Sequence, residues 1–324
     1  MAPRTDVLLV SLGSTAGLRA SDAAFAGALR RAGASVEVVA AAPRRQVRTL
    51  ALTDLAWAHA ARVAAEAGMA RLAPRAIVYS TMGAALLWPE PGAIRYDAPA
   101  AANRPGRHGL WQRPVERRRL REAPLLIPVA AGTLEETPSP HAPAVIVPIP
   151  VQASPDAGVA RDLAAITYAA DPHKKGLDRV LAAWAAARRD GEELVVAGTD
   201  TPVDAPGVRV AGRLAPDAYR ALLRRARVFV TAPRREDYGL AQLEALADGC
   251  LLVTTRAPGP YAALPIAERL DPRLVGDDVA AALRAALDAP RAGYAAEAAA
   301  ALAPFSEAAV DAVVASELLP RLLP

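Results

Sequence analysis

The sequence predicts an α/β chain of two doubly wound halves joined by a linker, and three observations carry that reading. Short apolar runs such as Asp6–Ser11, Ala164–Tyr168 and Val228–Val230 suit strands buried on both faces. Between them lie stretches whose apolar residues recur at helical spacing, among them 50–72, 177–189 and 215–225. A length of 324 residues is enough for two domains, each with its own core.

In the first half, the strand Asp6–Ser11 leads into a Gly/Ser loop, Leu12–Gly17, and Asp22–Ala32 reads as an amphipathic helix. With the strand Val36–Ala40 these make a βαβ unit. The loop is not a G-x-G-x-x-G fingerprint, and the chain has no P-loop motif. Gly13 either lets backbone approach a ligand or forms a tight strand-to-helix turn. Residues 50–72 read as an Ala-rich helix, and Arg75–Tyr79 and Ile94–Tyr96 as strands, the second ending at Asp97. Residues 98–111 (APAAANRPGRHGLW) read as a loop, followed by a basic helix, VERRRLRE, over 115–122. Leu125–Val129 and Ala144–Val147 are two more predicted strands, and 151–162 a linker. The first domain is thus 1–150.

The second half restarts with the strand Ala164–Tyr168, the loop AADPHKKG and a helix whose face is Val180, Leu181 and Trp184. The strand Glu193–Ala197 ends at Gly198, and Val208–Val210 leads to Gly212-Arg213. Residues 226–255 read as strand, loop, helix and strand. Pro233-Arg234-Arg235 is the loop, and Leu240, Leu243, Leu246 and Ala247 mark the helix. Gly249 stands at its C-cap, and Cys250–Val253 opens the next strand. Helices near 277–288 and 292–303 complete a second domain over 151–305. Residues 306–324 read as a terminal helix that packs back on the first domain.

Composition limits the functional classes. Hydrophobic residues make up 53%, yet no run of eighteen apolar residues occurs, so no membrane span is expected. The first residues lack the basic region and apolar core of a signal peptide. The single cysteine, Cys250, excludes an intrachain disulfide, which fits a reducing cytoplasm. Cys250 itself reads as a small buried apolar residue. Charge is uneven: residues 1–150 carry a net +7 and the remainder −3. The basic half suits an anionic or lipid-linked acceptor or the inner face of a membrane, and equally a solvated Arg-rich surface. The VERRRLRE helix carries the same two readings. Lys174 and Lys175 are the only lysines in a chain that otherwise uses arginine, which marks their loop for a site-specific ammonium.

The residues with most chemistry are Glu236 and Glu244, separated by seven others. Glu236 lies in the loop after a predicted parallel strand, hence at the carboxyl edge of the sheet, where open α/β sheets bind ligands. The N–H groups of Tyr238, Gly239 and Leu240 at the helix start would face an anion there.

Pro233, Glu236, Gly239, Leu240, Leu243, Glu244, Ala245, Ala247 and Gly249 together resemble the signature of the family-4 (group 1) retaining glycosyltransferases, E-x7-E in a P-S-x-x-E-G-F-G-L-x-x-L-E-A-x-A-C-G context. The resemblance implies the GT-B architecture, two Rossmann-like domains facing a cleft that closes over both substrates. It implies an NDP-sugar co-substrate bound by the second domain, transfer to an acceptor hydroxyl at the first, and no cofactor or metal. Glu236 would orient the donor sugar and Glu244 accept from the ribose hydroxyls. Lys175-Gly176 resembles the K-G of a G-R-x-x-x-K-G stretch and assigns Lys175 to the β-phosphate, with Lys174 exposed. The chain departs from that stretch where the arginine should stand: Tyr168-Ala169-Ala170 occupies the place. Arg234, Arg235 or His173 would have to supply the second cation; otherwise donor binding is weak. Gly212-Arg213 resembles the segment edging the nucleobase, and Gly198 a glycine beyond the second strand. Front-face attack needs no dedicated base. Asp97 and His108 are the polar first-domain candidates for positioning the acceptor, each also readable as a solvated loop residue. A UDP-sugar 2-epimerase is the enzymatic alternative, and a catalytically silent nucleotide-sugar binder or partner subunit the non-enzymatic one.

Overall fold

The computed structural model describes residues 5–42, 47, 49–104, 106–152 and 158–324; residues 153–157 of the expected linker lie outside them. The chain forms two compact units, residues 1–150 with 307–324 and residues 151–306. No helix among the described residues is long and apolar enough to cross a membrane.

The first unit holds β1 (Val7–Ser11), α1 (Ala16–Arg31), β2 (Val36–Ala40), α2 (Leu50–Leu72), β3 (Ala76–Tyr79), α3 (Met82–Ala85), β4 (Ala93–Tyr96), α4 (Ala100–Asn103), α5 (Gln112–Glu122), β5 (Leu126–Pro128) and α6 (Ala131–Glu135). Its parallel sheet runs β2-β1-β3-β4-β5. Every residue of β1 is buried because the strand has two apolar faces. Val7 and Leu9 pack with Phe25 and Leu29 on one side, while Leu8 and Val10 meet Ala61, Ala65 and Trp88 on the other.

The structure departs from the sequence reading in three places. Helix α1 starts at Ala16, ahead of the expected Asp22, because the Thr15 side chain accepts from the Leu18 N–H at 3.1 Å and caps it. Residues 98–111 contain α4 and a 3-10 turn, Gly106–Gly109. The expected strand 144–147 is an extended segment with a single bridge, Leu126 to Ala144. It still donates Val145 and Val147 N–H groups to β5, but Pro143 and Pro148, lacking N–H groups, end the ladder on either side.

The chain returns to the first unit with α13 (Glu307–Val313), a π turn at Val314–Leu318 and α14 (Leu319–Leu322). Val310, Val314, Leu318 and Leu322 recur at every fourth residue and all join the cluster around Val7 and Leu9. A spacing of four drifts around an ideal α-helix of 3.6 residues per turn; the wider π turn holds the stripe against the core. Arg31 on α1 pins the segment through Glu307 at 2.8 Å and Asp311 at 2.6 Å, both at the surface.

The second unit holds β6 (Leu163–Tyr168), α7 (Leu177–Ala187), β7 (Leu194–Ala197), β8 (Val208–Gly212), α8 (Pro216–Arg225), β9 (Ala226–Val230), α9 (Leu240–Ala247), β10 (Leu251–Val253), α10 (Leu264–Leu270), α11 (Val279–Asp288) and α12 (Tyr294–Ala301). Its parallel sheet runs β10-β9-β6-β7-β8. Strand order reverses between β6 and β9, so the loops after these two strands flank a switch point. In the first unit the reversal falls between β1 and β3.

The role of the terminal stripe is testable by chemical denaturation. Leu318→Ala should cost the first unit about 2–5 kcal/mol through a core cavity, whereas Arg31→Ala should cost far less, since its pairs are exposed.

Candidate active site

The loop after β6 is a tight turn: Lys175 donates its N–H to the Asp171 carbonyl and Gly176 to that of His173. Gly176 has φ +65°, and a Cβ there would lie 1.9 Å from the Ala232 carbonyl oxygen in the loop after β9. Only glycine allows this approach. The Arg234 N–H donates to the Lys174 carbonyl at 3.0 Å, so the two switch-point loops are joined.

Their side chains meet in two ion pairs. Lys175 Nζ lies 2.7 Å from Glu236 Oε2, and Lys174 Nζ lies 2.5 Å from Asp237 Oδ2. Glu236 is buried and also accepts from Gln242 Nε2 of α9 at 2.9 Å. Burial pushes the Asp237 carboxyl up, but Lys174 and Arg235 outweigh it and hold the group below the usual carboxylate range. Lys174, expected to be exposed, is half-buried and paired.

The loop after β10 closes the third side. Glu236 donates its N–H to the Pro258 carbonyl, and a Cβ on Gly259 would sit 2.3 Å from the Glu236 carbonyl oxygen. Gly239, the N-cap residue of α9, has φ +88° and backs onto the Tyr261 ring, where a Cβ would lie 2.8 Å away. No side chain caps α9, which leaves its N-terminus to the loop region around Glu236. Tyr238 is buried, with its carbonyl accepting from Ala262.

Arg234 and Arg235 follow different courses. Arg234 forks onto Asp178 at 2.8 and 2.7 Å and donates to the His173 carbonyl, which commits it to the exposed start of α7. Arg235 donates to Asp237 at 2.9 Å. His173 is exposed. Of the three candidate substitutes for the missing arginine, Arg235 is the one on the same carboxylate as a loop lysine.

Glu244 stands one turn further along α9, beside Tyr168, Tyr219 and Arg220. It makes no side-chain hydrogen bond to a described residue. Burial pushes its carboxyl up to about 7, Arg220 pulls it down and Asp248 adds to the rise. The Tyr168 and Tyr219 rings are 5.3 Å apart, and the buried Tyr219 hydroxyl has no partner among the described residues. Gly198, at φ +89°, makes room for the Tyr168 ring and donates to the Gly212 carbonyl at 2.8 Å. Arg213 is exposed and paired with Asp200 at 3.2 Å. Gly198, Arg213, Tyr168 and Glu244 therefore share one region at the carboxyl ends of β6, β7 and β8.

In the first unit, Gly13 lies in the loop after β1, at the switch point, with φ +55° and a carbonyl that accepts from Arg19 at 2.8 Å. Asp97 is exposed after β4, its carbonyl accepting from the Thr133 hydroxyl and its carboxylate from the Ala98 N–H. His108 is exposed in the 3-10 turn. Arg104, the C-cap residue of α4, forks onto Asp54 of α2 at 2.7 and 3.0 Å. Cys250 is buried, and burial pushes its thiol up to about 12, which leaves it inert. Among the described residues no group of three His, Cys, Asp or Glu side chains is arranged to hold a metal ion.

The sequence carries no motif for Asp237, Gln242, Tyr219 or Arg220. The signal nearest to one is Gln242, an amide set in the otherwise apolar run Leu240–Ala247.

Two measurements probe this geometry. Gly176→Ala should unfold the second unit at lower denaturant than Gly191→Ala, a loop glycine with positive φ and nothing around it. Glu244 has a folded pKa above its ordinary value, so its ionisation weakens the fold as pH rises through about 4.5 to 7. Glu244→Gln should match the parent below pH 4.5 and exceed it at pH 8, by on the order of 2 kcal/mol after allowing for partial exposure.

Comparisons with known proteins bear on the same region. Residues 163–289 match the family described as Glycosyl transferases group 1. No curated protein sequence matches the chain. Among solved structures, the glycosyltransferase WaaG, involved in lipopolysaccharide biosynthesis, is 14% identical with a TM-score of 0.68, covering 95% of this chain and 99% of its own. Sucrose-phosphate synthase from Thermosynechococcus elongatus is 16% identical with a TM-score of 0.68, over 95% and 97%. The trehalose-6-phosphate synthase OtsA is 13% identical with a TM-score of 0.70, over 97% and 99%. At these identities the structures speak to the fold, and the family match speaks to the second unit. Residues 163–289 therefore match a group 1 glycosyltransferase domain, and the chain shares the fold of the glycosyltransferases WaaG and OtsA.

Proposed function

We infer that the protein is a retaining, metal-independent transferase that moves a sugar from an NDP-sugar to an acceptor hydroxyl, with the donor held by the second unit. The observation that carries this reading is the Lys175–Glu236 ion pair at the switch point, beside the uncapped N-terminus of α9. A leaving diphosphate needs positive charge placed before the bond breaks. Lys175 and the α9 dipole supply it without a cation cofactor.

In the free protein Lys175 is neutralised by Glu236. An arriving diphosphate competes for the ammonium and releases the Glu236 carboxylate, which then accepts from the hydroxyls of the donor sugar. The pair thus keeps two buried charges satisfied until the donor replaces each partner. Glu244, in its ionised form, accepts from the ribose hydroxyls, while Tyr168 and Gly198 edge the base. Asp97, His108 and the Gly13 loop position the acceptor in the first unit, and the departing phosphate takes the acceptor proton. Support for a nucleotide-sugar donor comes from structural neighbours: one E. coli structure is bound with UDP-2-fluoro glucose, and a UDP-forming trehalose-phosphate synthase from Burkholderia xenovorans is in complex with glucose-6-phosphate. The basic balance of residues 1–150 favours an anionic or lipid-linked acceptor.

A thermal-shift screen against UDP-, GDP-, ADP- and dTDP-sugars should find one nucleotide series that raises the melting temperature by mass action. With that donor and a competent acceptor, Lys175→Ala and Glu236→Ala should each lower kcat/KM by about 100-fold or more. Turnover that survives both substitutions would put the site elsewhere. Nucleotide binding without hydrolysis or transfer of any sugar would leave a silent binder.

A further inference from the structure

The amino-terminal edge of the second sheet, opposite the Lys175–Glu236 pair, holds a recess of about 390 Å³. Arg161 reaches it from just before β6, Arg227 from the start of β9 and Arg291 from the turn before α12. Leu251, Pro290, Tyr294 and Ala295 are among its apolar lining.

The charge in this recess is unbalanced. Among the described residues, Arg161 donates only to the carbonyls of Ala226 and Asp248, each at 2.5 Å, and to the Cys250 sulfur at 4.0 Å. Among the described residues, Arg227 donates only to the Leu287 carbonyl, at 2.5 Å. The carboxylates nearest in sequence are committed to other arginines: Asp162 to Arg225, Asp248 to Arg220 and Arg224, and Asp288 to Arg189 and Arg284. Arg291 alone has an acid of its own, Glu297, at 2.7 and 2.8 Å. Arg161 and Arg227 thus line one concavity with no carboxylate partner among the described residues. The opening is also built for Arg161: a Cβ on Gly249 would stand 2.5 Å from its Nη2. The N-terminus of α12, eight residues long and without a side-chain cap, adds positive potential through Tyr294 and Ala295 on the same wall.

We propose that this recess is a second anion-binding site, separate from the donor site, for a small molecule that carries a phosphate monoester on an apolar or aromatic body. A fork of two guanidinium groups matches the oxygens of a phosphate. The Pro290, Tyr294 and Ala295 wall takes the organic part, which bare phosphate lacks. Strands β9 and β10 begin at the recess and end in the loops that carry Glu236 and Gly259, so an occupant touches the same strands that position the donor site.

Calorimetric titration of the full chain with phenyl phosphate, inorganic phosphate and phenol tests this, with chloride making up constant ionic strength. The expected result is one saturable site that binds phenyl phosphate more tightly than inorganic phosphate and does not bind phenol. Arg161→Ala and Arg227→Ala should each weaken phenyl phosphate by about tenfold or more, the loss of one charge-assisted contact. Lys175→Ala should leave this binding unchanged, which separates it from the donor site. Binding that is lost in Lys175→Ala, or that persists in both arginine variants, overturns the proposal. A second measurement needs no variant: phenyl phosphate should protect Arg161 and Arg227 of the unaltered protein from phenylglyoxal, as read by peptide mass spectrometry. Equal modification with and without it also overturns the proposal.

Discussion

The site depends on a steric constraint at Gly176. Its α-carbon faces the Ala232 carbonyl so closely that any side chain would overlap it. That contact brings the loops after β6 and β9 together, and the Arg234 N–H to Lys174 carbonyl bond fixes their register. Once the loops touch, Lys174 falls opposite Asp237 and Lys175 opposite Glu236. Gly259 and Gly239 serve the same end on the other side, letting backbone and the Tyr261 ring approach Glu236 and the start of α9. Three glycines thus place two lysines and two carboxylates where the strand order reverses.

Electrostatics then separates the two signature glutamates. Glu236 is buried yet bonded to an ammonium and an amide, so its charge is compensated without ligand. Glu244 has neither partner; burial raises it to about 7, close to working pH. A desolvated carboxylate without donors is expensive to hold, and hydroxyl donors from a ligand relieve that cost. On the function we propose, the two acids meet the donor in different ways, one by exchanging partners and the other by gaining them.

Much of this was legible in the sequence because it is local. Pro233, Glu236, Gly239 and Glu244 sit within one strand–loop–helix unit, and the lone lysine pair stood out by composition. The strand order and the pairing of Lys175 with Glu236, 61 residues apart, are tertiary facts that no spacing encodes. Asp237 carried no signal for the same reason, since the approach of the β6 loop is what gives it Lys174 as a neighbour, and Arg235, read from sequence as a candidate second cation, turns to that same carboxylate. Arg234 shows the converse: its place beside Glu236 in sequence suggested a phosphate cation, yet Asp178 holds it at the surface. Local chemistry also hid two fold details, the Thr15 cap that starts α1 early and the prolines that reduce 144–147 to a bridge. The recess lined by Arg161 and Arg227 left no trace in sequence, because its carboxylate deficit arises from which acids other arginines have taken.

We propose that the Lys175–Glu236 pair is a closed donor site whose ammonium is released to a diphosphate. The most direct test is the affinity of Glu236→Gln for the nucleoside diphosphate of the competent donor. Removing the carboxylate charge while keeping the side-chain shape frees Lys175, so binding should tighten several-fold as transfer falls. Affinity that stays the same or weakens in Glu236→Gln would contradict the account.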